Sequence, residues 1–117
     1  MKWLTRFAAA GALLCLVLSF TSIRSDADSS GKSIFLANKC NNCHSISAAG
    51  IKAAPSEDDS GGTKPPDLSK VGGTQSAAWI QGYLTKQESL HGKKHKKAWK
   101  GSDADLATLA GWLASLK

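Results

Sequence analysis

Residues 40–44 read Cys-Asn-Asn-Cys-His, and this pentapeptide limits what the chain can become more than any other feature does. Two thiols three positions apart come to one side of a helical turn, and the next residue brings an imidazole to the same place. Thiols in that register can each add to a vinyl group of one haem while the imidazole sits beneath the iron. Cys40 and Cys43 therefore read as covalent attachment points for one haem c per chain, with His44 as the proximal iron ligand.

Other uses of the two cysteines fit less well. A thioredoxin-type redox pair needs a β-strand leading into the motif, and no β-rich segment is present in the sequence. Zinc is the sharper rival, because His91-x-x-x-His95 completes the spelling C-x-x-C…H-x-x-x-H. Yet 47 residues separate Cys43 from His91, where a zinc finger closes over about 12–15. Zinc also gives no reason for His44 to follow Cys43 directly.

The first 27 residues read as a signal peptide. Lys2 and Arg6 precede the apolar run Phe7 to Phe20, and Ser25-Asp26-Ala27 offers a small-x-small cleavage site. The run is short of the about 20 residues that span a membrane, so membrane contact is expected only if the leader stays uncleaved. Cys15 lies inside it behind Leu14, which does not suit lipid attachment, and leaves with the leader. The expected location is extracytoplasmic, periplasmic in a bacterial cell. The expected mature domain, residues 28–117, carries 12 lysines and no arginine against 8 acidic residues, a net of +4. Such a balance is mildly basic and is no argument for nucleic acid. Ninety residues make one small domain, whose core a buried cofactor would complete.

Three helical patches stand between loops. Ser30 and Gly31 suggest a start for a helix over 32–42 with Ile34, Phe35 and Leu36. Small residues, glycines, Pro55, Pro65, Pro66 and the acidic cluster Glu57-Asp58-Asp59 make 45–70 a loop. A second helix is expected over about 75–88, carrying Trp79, Ile80, Tyr83 and Leu84, with Gly82 as a weak point. In the last, Ser102 caps a stretch in which Leu106, Leu109, Ala110, Leu113 and Leu116 recur at helical spacing, with Trp112 at the stripe's edge. This helix should pack on the first, and the fold class is all-α.

In order, an aromatic ahead of Cys-x-x-Cys-His, the step Pro66-Asp67-Leu68, a Trp/Tyr helix, a Gly-Lys-Lys turn and the ending Gly111-Trp112-Leu113-Ala114-Ser115-Leu116 resemble a small bacterial class I cytochrome c. The resemblance implies three or more helices packed around one haem, with a carbonyl near Pro66 accepting a hydrogen bond from His44. The family's distal methionine has no counterpart, because the single methionine is Met1. Its place in the Gly-x-x-Met turn falls on Gly92-Lys93-Lys94-His95, which makes His95 the candidate sixth ligand, with His91 as the alternative. Trp79, Tyr83 and Trp99 are candidates for the haem pocket walls.

Two protein ligands on iron leave no position for substrate, and no catalytic constellation is visible, so the chain reads as an electron carrier rather than an enzyme. A haem-based gas or redox sensor and a cytochrome subunit of a periplasmic oxidoreductase complex are the alternatives. Lys93, Lys94, Lys96, Lys97 and Lys100 around His95 suggest redox partner proteins with an acidic docking patch.

Overall fold

Helix α1, Arg24–Ala37, comes first in the computed structural model, which describes residues 24–55 and 64–117. The apolar leader run and the Glu57-Asp58-Asp59 cluster lie outside the described residues, while the cleavage point expected after Ala27 falls in the first turn of α1.

The helix begins earlier and ends earlier than its local signals suggest. Gly31 is not a terminator but the point where another helix crosses, since a Cβ built there would lie 2.2 Å from Cβ of Trp112. At the other end the chain turns away at Lys39, whose φ of 57° is left-handed. Just before it, the Ile34 carbonyl accepts from Asn38 twice, from its backbone N–H at 3.0 Å and from its Nδ2 at 2.8 Å.

Helix α2, Ala77–Leu84, starts at Ser76, whose hydroxyl accepts from the backbone N–H of Trp79 at 3.1 Å. It is shorter than the expected 75–88. Thr85 Oγ1 donates back to the Gln81 carbonyl at 2.9 Å and Lys86 takes φ 62°, so the chain folds over the helix end. There the N–H groups of Gln87 and Glu88 both reach the Gly82 carbonyl. A Cβ on Gly82 would meet Cγ of the exposed Glu88 at 2.7 Å, so a larger residue there would make the Glu88 side chain turn aside.

Helix α3, Asp103–Ser115, follows its sequence signals closely. Ser102 Oγ accepts from the Asp105 N–H at 3.1 Å, and Asp103 and Asp105 sit at the positive end of the helix dipole. Leu106, Leu109, Ala110, Trp112 and Leu113 are buried. Trp112 belongs to the core rather than to its edge, and its ring meets Phe35 of α1 edge-on at 5.9 Å. α3 packs against α1 and also against α2. Leu116 O accepts from Gly72 N at 2.7 Å, which ties the short turn Val71–Gly73 to the end of α3.

Among the described residues there is no strand, only two isolated bridges. One joins Ile46 and Ile51, both buried, and closes the loop that follows the pentapeptide onto the core. The other joins Leu90 and Lys93 across His91 and Gly92, whose φ values of 50° and 75° make a tight reverse turn. Among the described residues, nine buried hydrophobic side chains form the core. At about 1.5–3 kcal/mol for each large one, that is a thin core for a domain of this length, and a buried cofactor adds to it.

Candidate haem site

The pentapeptide folds on itself. Residues Cys40–Asn42 make a 3-10 turn in which the Cys40 carbonyl accepts from the N–H of both Cys43 (3.2 Å) and His44 (3.0 Å). Residues three apart eclipse one another in such a turn. The two cysteines do not pair in a disulfide; Cys40 is half-buried and Cys43 exposed. Before haem attachment, burial pushes the Cys40 thiol up, with the nearby Cys43 adding to the shift.

Two of the histidines come close together with their rings near parallel. His44 and His95 have ring centroids 6.2 Å apart and ring planes only 16° from parallel. Direct stacking would bring the faces to roughly 3.5–4 Å, so these rings are not in contact. Two imidazoles binding one metal from opposite sides would have centroids about 6 Å apart, since an imidazole nitrogen lies about 1.1 Å from its ring centre and bonds a metal at about 2.0 Å.

Each ring is also turned the right way. His44 Nδ1 is 2.9 Å from the Pro66 carbonyl, and His95 Nδ1 is 2.6 Å from the Lys97 carbonyl. A carbonyl only accepts, so Nδ1 carries the proton in both rings and Nε2 keeps its lone pair. Burial pushes the His44 pKa below its ordinary value, and His95 pushes the same way, while the Pro66 carbonyl opposes both. A neutral ring at pH 7 is the form that binds a metal.

The remaining candidates divide. Tyr83 meets His95 edge-on at 5.2 Å, and Trp79 stacks on Tyr83 at 4.8 Å, so α2 brings an aromatic pair up to the histidines. Trp99 packs instead against the core, and its indole N–H donates to the Ser102 carbonyl at 3.1 Å, at the start of α3. His91 is exposed at the tip of its turn. Among the described residues no three His, Cys, Asp or Glu side chains gather as ligands of one metal ion, so Cys40, Cys43, His91 and His95 do not form the zinc arrangement their spacing spells.

Sequence reasoning missed the clasp behind His44. Asp67 accepts at Oδ2 from Ser45 Oγ (3.0 Å), Ser47 Oγ and Ser47 N (3.1 Å), and at Oδ1 from Ser69 N (2.8 Å). The Ala48 N–H donates to Ser69 Oγ at 3.0 Å, and the Leu68 N–H to the Ser45 carbonyl at 2.9 Å. The clasp fixes the loop that presents the Pro66 carbonyl to His44. Only the Asp67-Leu68-Ser69 turn signal was available in the sequence.

These donors, the Ser47 hydroxyl foremost and Ser69 next, hold the Asp67 carboxyl well below the usual carboxylate range. A depressed folded-state pKa contributes stability that is complete above about pH 4 and disappears as pH falls through the folded value. Asp67→Asn is expected to lower the melting temperature at neutral pH and to flatten its fall below about pH 4. Thermal melts across that range check this; two parallel curves would show that the clasp carries no pH dependence.

A small all-α domain that carries a Cys-x-x-Cys-His turn has the layout of a c-type haem domain. The family model for cytochrome c matches residues 29–117, and the chain belongs to that family. No curated protein and no solved structure matches the chain significantly. As in the family, haem c is covalently attached, and the role is electron transfer with redox partner proteins.

Proposed function

We propose that the chain is an extracytoplasmic electron carrier whose haem is joined to Cys40 and Cys43 and whose iron is held by His44 and His95. The observation that carries the ligand assignment is the pair of near-parallel imidazoles at 6.2 Å, each with Nδ1 committed to a carbonyl. With His44 and His95 both holding the iron, no ligand position would be left for substrate, and the haem would supply electron transfer alone. Imidazole favours ferrous iron less than thioether does, so the potential lies below that of His/Met relatives. Pro66 and Tyr83 border the ligands, Trp79 backs Tyr83, and the backbone N–H of Trp99 ties the loop that carries His95 to the Leu84 carbonyl at 2.9 Å. The leader supports export, with cleavage after Ala27, to the periplasm if the cell is bacterial.

Carbon monoxide tests the carrier reading. The ferrous holoprotein is expected to resist it over minutes; rapid, complete binding would make the chain a gas sensor instead.

Lys93, Lys94, Lys96, Lys97 and Lys100 are all exposed and surround half-buried His95. Long-range attraction from such a patch raises the encounter rate with an acidic partner while leaving dissociation fast, and it is screened over about 10 Å at 0.1 M salt. Electron exchange with an acidic partner should slow about tenfold or more as salt rises, and Lys94→Glu with Lys96→Glu should slow it several-fold at low salt. Stopped-flow rates decide this. Rates indifferent to both changes would point to an apolar docking face.

A further inference from the structure

Trp79 and Tyr83 are four residues apart on α2 and so share one face of that helix. Their rings stack at 4.8 Å with planes 17° apart, and the far ring, Tyr83, stands edge-on to His95 at 5.2 Å and 69°. Among the described residues, the one hydrogen bond of the His95 ring is donated to the Lys97 carbonyl of its own loop, two residues away, and moves with that loop. Tyr83 is the wall that comes from elsewhere. His44 takes its orientation from a separate element again, the Pro66 carbonyl. Nothing in the chain's connectivity requires two rings set by different elements to lie within 16° of parallel.

We propose that Tyr83, backed by Trp79, is a positioning residue that fixes the plane of the His95 imidazole nearly parallel to that of His44. This rests on the reading that both histidines ligate the iron. Each imidazole donates π-density to the one iron d-orbital that its plane selects. Parallel planes act on the same orbital and separate it from its partner; crossed planes act on one each and leave them nearly equal. The ring angle is therefore readable in the ferric state. Parallel planes give a rhombic low-spin resonance with three resolved g-values, and crossed planes give a strongly axial one dominated by a single large g-value.

Electron paramagnetic resonance of the frozen ferric holoprotein tests this. The wild type is expected to be rhombic, and Tyr83→Phe, which keeps the ring and its edge, should match it. Tyr83→Leu removes the wall and should raise and broaden the largest g-value beyond the line width, with Trp79→Leu giving a smaller shift in the same direction. Should Tyr83→Leu yield no folded holoprotein, Trp79→Leu carries the test alone. A variant that stays low-spin with unchanged g-values overturns the proposal while leaving the two ligands in place. An axial wild-type signal also overturns it, and a high-spin wild type overturns the ligand assignment and the proposal together.

Discussion

Gly31→Ala is expected to lower the melting temperature of the holoprotein by 10 °C or more, against the ordinary expectation for alanine in a helix. Replacing a mid-helix glycine normally helps by about 0.5–1 kcal/mol, because alanine loses less backbone freedom. Here the new Cβ would lie 2.2 Å from Cβ and 2.4 Å from Cγ of Trp112. Those atoms sit at the root of the side chain, so no rotamer change clears them and α1 must move away from α3. Phe35, 1% exposed and edge-on to the same Trp112, loses its seat as the helices part. Overpacking costs about 1–3 kcal/mol where a core can adjust, and a backbone-to-backbone crossing adjusts poorly. The net loss is about 2–3 kcal/mol, and each kcal/mol is worth about 4–8 °C in a domain of this size. Thermal melts followed by far-ultraviolet circular dichroism measure it. A melting temperature that rises would mean that the α1–α3 crossing is looser than the Gly31–Trp112 approach implies.

The other large effect concerns the iron. With His95 changed to alanine, the sixth position is left to water or to one of the neighbouring lysines, and the ferric spectrum should move from low-spin to high-spin or to that of a substitute ligand. His95→Met should raise the reduction potential by on the order of 100 mV, a modest part of the about 0.8 V that axial ligands command. His91→Ala should change neither, since His91 sits exposed in the turn closed by Leu90 and Lys93. Voltammetry and visible spectra of the three variants decide between the histidines; the reverse pattern would move the ligand to His91.

The attachment motif was legible because its chemistry is local: five consecutive residues carry it. His95 became the candidate ligand by a different route, the lack of any methionine but Met1 combined with the position of Gly92. α3 announced itself through Ser102, the two first-turn aspartates and the leucine spacing, all of which act within one helix. What the sequence hid is what depends on contacts between distant segments. Gly31 reads locally as a helix boundary, and only the crossing with Trp112 reveals it as an interior residue. The Asp67 clasp joins positions about twenty apart, and the edge-on contact of Tyr83 with His95 joins a helix to a loop beyond it. Lys39 in a left-handed conformation carries no residue signature at all, because that region favours glycine or asparagine.

The visible spectrum of the purified protein, recorded ferric and ferrous, is the most direct test of two imidazoles on one covalently held haem. The expected result is a six-coordinate, low-spin c-type spectrum in both states, without the weak far-red charge-transfer band of thioether ligation. A high-spin ferric spectrum, or a far-red thioether band, would contradict the pairing of His44 with His95.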